Sequence, residues 1–167
     1  MPVKGSNLPD LVRTATVAAL ADLTLAADDN GYALRDSSGV KVVAQTTFDP
    51  TGLPSLPCLV VTADRKQKEE RLPGDTEYRE YVLPFLCLLV DRRGSRDQQK
   101  DAQCRAWRKE IIDRFDQQRP ITADVPPCQW CEVETQDVIE QKAAEFQMVE
   151  SALRLNFRMR EPRHTSR

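Results

Sequence analysis

The closest pairing of cysteines in the sequence is Cys128-Gln129-Trp130-Cys131. A zinc site takes four ligands, and the other cysteines, 58, 87 and 104, are scattered. Residues three apart on a strand point to opposite faces, so the expectation is two structural cysteines that pack separately, with a metal or redox site as the alternative. Glu140-Gln141-Lys142, with Asp124 or Asp137 upstream, has the acid-then-Glu-x-Lys form of metal-dependent nucleases. In those enzymes carboxylates hold a divalent ion and the lysine steadies developing charge. Such ligands normally sit on a core strand, whereas these lie in a polar stretch without alternating apolar partners, which reads as a solvated loop. The single histidine, His164, is four residues from the end of the sequence, a poor position for acid/base or triad chemistry. The six glycines never form Gly-x-Gly, so neither phosphate-cradling fingerprint is present. The expectation is a protein that is not an enzyme and uses no metal or cofactor.

The basic positions carry more information. Arg154, Arg158, Arg160, Arg163 and Arg167 are accompanied by one acid, Glu161, while residues 132–150 hold six acids and a single base, Lys142. This asymmetry suits either a wet strand face or a surface matched to a complementary subunit. Residues 64–80 add five bases and six acids around Pro73-Gly74. The stretch reads as a long exposed hairpin tip or loop, and a loop that long and that polar is usually functional or disordered, so Arg65, Lys66, Lys68, Glu69, Glu70 and Arg71 are candidate partner-interface residues, together with Arg154, Arg158 and Arg160. On their own face of the alternating strand no aromatic residue interleaves the arginines as nucleic-acid stacking would require. A net charge of −2 gives no bulk attraction to DNA or anionic lipid.

These groups must be positioned by elements legible from periodicity. Asn7-Leu8-Pro9-Asp10 opens a helix, with Asn7 as its cap and Leu11, Val12, Ala15, Ala19, Leu20, Leu23 and Ala26 as its apolar stripe. Residues 40–46 (VKVVAQT) and 58–62 (CLVVT) read as strands, the second buried and approached through Pro50, Pro54 and Pro57. Residues 81–90 (YVLPFLCLLV) fit a central strand, too short to cross a bilayer as a helix, with a bulge or unpaired edge expected at Pro84. Asp97 caps a second helix whose core stripe is Cys104, Trp107, Ile111 and Phe115. A strand over residues 128–135 and an acidic loop over residues 137–147 follow. The last strand alternates most clearly. Val149, Ser151, Leu153, Leu155, Phe157 and Met159 share the core face, and Glu150, Ala152, Arg154, Asn156, Arg158 and Arg160 the wet one.

The order of elements predicts the α/β class of α+β type: a mainly antiparallel sheet with two main helices packed against it, in one domain over residues 1–160, and a flexible Arg-rich tail over residues 161–167. The length of 167 residues suits one domain, and 40% apolar with 30% charged residues is a composition that folds. Five cysteines, an odd number behind a polar start and an apolar stretch broken by Arg13 and Asp22, suggest reduced thiols in a cytosol-like compartment.

This ordering resembles the tail terminator, or tail completion, proteins of long-tailed bacteriophages. The features that carry the resemblance run from the N-terminal amphipathic helix through Leu53-Pro54-Ser55-Leu56-Pro57, the strand after it, the long charged loop and the strand ending in Asp91-Arg92-Arg93, to the helix with Trp107 and the closing alternating strand. The resemblance implies a structural virion protein of the neck with no catalytic residues, assembled in the host cytoplasm. It further implies a homo-hexameric ring that caps the tail tube and joins the tail tube protein to the head-completion or connector protein. DNA would pass through the central channel without sequence-specific binding. Alternatives are another neck component such as a head-closure protein and, from a different class, a small metal-dependent nuclease.

Overall fold

The computed structural model describes residues 8–21, 41–54, 58–64, 70–73, 77–90, 98–135 and 149–163. In chain order these form α1 (Leu8–Ala21), β1 (Lys41–Gln45), β2 (Cys58–Ala63), β3 (Glu70–Leu72), β4 (Tyr78–Val90), α2 (Gln98–Phe115), β5 (Cys128–Thr135) and β6 (Val149–Pro162). The strands make one mixed, mostly antiparallel sheet ordered β1-β2-β4-β6-β5, with β3 paired to β4 beyond the end of β2. The fold is α+β, with the sheet dominant.

Strands β4 and β6 form the spine of the sheet, in register from Tyr78↔Pro162 to Leu89↔Ser151, after which a one-residue slip pairs Val90 with Val149. The two-residue side-chain period places Tyr81, Leu83, Phe85, Cys87 and Leu89 on one face with Ser151, Leu153, Leu155, Phe157 and Met159. Helix α1 covers that face with Leu8, Val12, Ala15, Ala19 and Leu20, and α2 covers it with Trp107, Ile111 and Phe115, all in one buried cluster. The Phe157 ring packs edge-on to Phe85 at 6.0 Å and to Phe115 at 6.4 Å between centroids. The expected core strands and the α2 stripe at Trp107, Ile111 and Phe115 are therefore present.

Several expectations are corrected. Leu11 is 38% exposed, because it falls at the edge of a stripe centred on Val12 and Ala19. Thr16 takes a buried place instead, and its Oγ1 donates to the Val12 carbonyl at 2.7 Å. Within residues 64–80 the hairpin alternative holds rather than the bare loop: Glu70–Leu72 is a strand antiparallel to β4, which already begins at Tyr78. Of the two alternatives at Pro84, the bulge does not form, since Pro84 stays in register with Asn156, and the unpaired edge is present. The ring nitrogen needs no partner there, since β2 ends at Ala63 and β3 pairs only as far as Val82, leaving a gap that Pro84 fills. Its carbonyl still accepts from the Asp64 N–H at 3.3 Å. The tail boundary also moves, because β6 continues through Pro162 and the Arg163 N–H donates to the Glu77 carbonyl at 2.8 Å. Asn7, Leu23, Ala26, Asp97, residues 137–147 and residues 164–167 lie outside the described residues.

The face of the sheet away from the helices is only partly wet. At one end Cys58, Val60, Leu88, Val90 and Ala152 form a second buried cluster, with Val43, Phe48, Leu53 and Leu86 packed against it. Strands β1 and β2 are parallel, so the chain must cross over between them. That crossover carries Phe48 and Leu53 onto this face. Asp49 shapes it by accepting from the Thr51 N–H at 2.9 Å and from the Thr51 hydroxyl at 2.6 Å, which also lowers the Asp49 pKa.

Candidate functional site

The remainder of the helix-free face holds the candidate arginines. Antiparallel pairing with β5 sets Glu134 opposite Arg154 and Trp130 opposite Arg158, and pairing with β4 sets Glu80 opposite Arg160. The acids and bases that the sequence segregates are thus interleaved in space. Arg154 donates from Nε to Asp64 at 2.6 Å and from Nη1 to Glu134 at 2.9 Å. Arg158 reaches both carboxylate oxygens of Glu132, each at 3.2 Å, and lies 5.7 Å from the centre of the Trp130 ring. Arg160 approaches Glu80 at 3.6 Å and stacks 4.3 Å from the Tyr78 ring centre.

The lattice is graded in depth. The Asp64 side chain is 2% exposed and that of Arg154 18%, whereas Arg158 and Glu132 are 29% and 34% exposed. Burial works against the Arg154 charge, but hydrogen bonds to Asp64 and Glu134 outweigh it and raise its pKa. Beneath the charges lie Val82, Pro84 and Asn156, all buried. The Asn156 Oδ1 has no hydrogen-bond partner among the described residues. Long arginine stems laid across the strands do the covering that helices do on the other side.

Of the candidate interface residues, Arg154, Arg158 and Arg160 are brought together on this face. Glu70 and Arg71 stand apart on β3, both exposed. Arg65, Lys66, Lys68 and Glu69 lie outside the described residues, as do Asp137, Glu140 and Lys142. Asp124 is exposed in the turn before β5. Asp64, Glu132, Glu134, Trp130 and Tyr78 belong to the surface but are missed by reading the sequence. Their signal is the spacing Trp130-x-Glu132-x-Glu134, which puts all three on one strand face.

The cysteine pair corrects a second expectation. The register slips between Cys128 and Trp130, making Gln129 the extra residue of a bulge. Cys128 and Cys131 therefore share the helix-covered face and the same buried cluster. Both are free thiols. Burial pushes the Cys128 pKa up to about 12, and burial with the neighbouring Cys128 and Asp116 raises that of Cys131 well above its ordinary value. Such thiols are protonated and poor nucleophiles at neutral pH. Past α2 the chain turns through Gln117, which has a φ of 55°, and then runs beside β5. There the Gln117 N–H donates to the Cys131 carbonyl, the Cys131 N–H to the Gln118 carbonyl and the Val133 N–H to Asp116 Oδ1. That cap closes part of the outer edge of β5 to strand addition.

Among the described residues no three His, Cys, Asp or Glu side chains gather to hold a metal ion, and no helix is long and apolar enough to cross a membrane. Comparison with protein-family models and with curated proteins found no match.

Proposed function

We propose that this protein acts by binding, as a structural subunit of a bacteriophage neck: a tail terminator that assembles into a ring, hexameric by the resemblance, between the tail tube and the head-side connector. The observation that supports this reading is the face of the sheet bearing Arg154, Arg158 and Arg160. Helices α1 and α2 pack on the opposite face, and here charges of both signs are fixed by side-chain hydrogen bonds and stacking. A rigid pattern of alternating charge can be matched by a neighbouring subunit in only a few registers, so it supplies specificity. A head-to-tail contact whose rotation divides a full turn closes a small domain into a ring.

Native mass spectrometry and negative-stain imaging test the proposal, on the purified protein alone and after mixing with tail tubes from particles that lack this subunit. The expected result is a closed ring, alone or seated on tube ends. A protein that stays monomeric and leaves tube ends bare overturns it.

A further inference from the structure

Among the described arginines, Arg71, Arg79 and Arg163 lie away from the lattice. A groove of about 710 Å³ opens where the first turn of α1 meets β3 and the first residues of β4, with Arg163 just past β6. Arg71, Arg79 and Arg163 line it, over walls that include Pro9, Leu72 and Tyr81. Strand alternation explains the convergence. Arg71 pairs with Tyr81 and Arg79 lies two residues before Tyr81, so all three side chains leave the helix-covered face of the sheet at the end where α1 begins.

Two of the guanidinium groups are held in place. Arg79 donates from Nε to Glu161 at 3.0 Å and lies 5.4 Å from the Tyr81 ring centre. Arg163 donates from Nε to the Tyr78 carbonyl at 3.1 Å, which leaves its other donors directed elsewhere. Among the described residues, neither Arg71 nor Arg163 has a carboxylate partner. The contrast is with Arg154, Arg158 and Arg160, each of which has a carboxylate oxygen within 3.6 Å. The one acid on the groove wall, Glu80, is engaged by Arg160.

We infer that this groove binds an extended acidic segment of a protein partner, with carboxylates on Arg71 and Arg163 and an apolar side chain against Leu72 and Pro9. Guanidinium forks suit carboxylates, and such charge-assisted bonds are the strong ones. The volume falls in the range of sites that enclose a few residues and is too small for a duplex. The net charge of −2 also disfavours a long polyanion. Strand β3 adds a backbone ladder, because among the described strands it pairs only with β4. Its outer edge can therefore receive an extended segment. The inference stands whether or not the chain forms rings.

The probe is a fluorescein-labelled peptide in which glutamate alternates with leucine, followed by fluorescence anisotropy and by amide NMR shifts at Leu72 and Tyr81. Its competitors are the glutamine version of the peptide, an oligothymidylate of equal length and inorganic phosphate. The expected result is saturable binding, weakened about tenfold or more by each of Arg71→Glu and Arg163→Glu, with shifts confined to the groove. Arg105→Glu, an equal charge change on the exposed side of α2, should leave binding unaltered. Circular dichroism melts of all three variants establish that they are folded. No saturation below about 1 mM peptide overturns the inference, as does an equal loss in Arg105→Glu. Tighter binding of the oligothymidylate or of phosphate than of the peptide also overturns it, in favour of a phosphate site.

Discussion

The two faces of the β4–β6 spine are built from alternate residues of the same strands, yet they are buried by different means. On one face Leu153, Leu155, Phe157 and Met159 are covered by apolar side chains of α1 and α2. On the other Ala152 lies under an apolar crossover, and Asn156 lies among Arg154, Arg158 and their acidic partners. Apolar cover is non-directional and scales with area, so each residue contributes roughly independently of its exact partner. Ionic cover works only in register, because a buried charge without its partner is costly. The first face is therefore stable by composition and the second by pairing.

The sharpest test of the apolar face is Trp107→Ala. Trp107 is 1% exposed and packs in the main cluster, and truncating a large buried aromatic typically costs about 3–5 kcal/mol. Thermal and urea melts should show a protein that is largely unfolded or strongly destabilised. A melt like that of the parent would mean that α2 contributes little to covering the sheet.

On the ionic face the matching experiment is Arg154→Met, which keeps an apolar stem while leaving the Asp64 carboxylate, 2% exposed, without its guanidinium. Removing one partner of a buried pair costs about 3 kcal/mol. The double variant Asp64→Leu with Arg154→Met should recover much of that loss, since the buried carboxylate leaves together with its guanidinium and Glu134, half exposed, is solvated by water. If the single variant melts within about 0.5 kcal/mol of the parent, as an ordinary surface substitution would, the contrast between the faces fails.

This difference also explains what could be read from the sequence. The alternation of residues 149–159 and the three- and four-residue steps from Trp107 to Phe115 identify the helix-covered face, because periodicity alone decides which side is apolar. The charge lattice was half legible. The spacing of Arg154, Arg158 and Arg160 shows that they share a face, but not that Glu132, Glu134 and Asp64 meet them, since that depends on strand order and register. The cysteine pair was misread for a related reason: a one-residue bulge at Gln129 inverts the alternation, and Cys-Gln-Trp-Cys carries no local signal of it. Asp64, opening a segment that reads as loop, is the most buried acid of the lattice, and its N–H extends the β2–β4 ladder onto the Pro84 carbonyl, a placement that depends on strand pairing.

The smallest expected effect lies at the exposed margin of the lattice. Arg158 and Glu132 are about a third exposed, and both of their hydrogen bonds are 3.2 Å long, so solvent screens the pair far more than it screens Asp64 and Arg154. A double-mutant cycle of Arg158→Met and Glu132→Gln should give a coupling under about 1 kcal/mol, and salt should reduce it further. Arg158 stacked on Trp130 retains some packing value that the cycle cancels, so the single Arg158→Met variant should cost more than the coupling itself. A coupling as large as that of Asp64 with Arg154 would show that depth does not grade the lattice, and that the outer pair is as sheltered from water as the inner one.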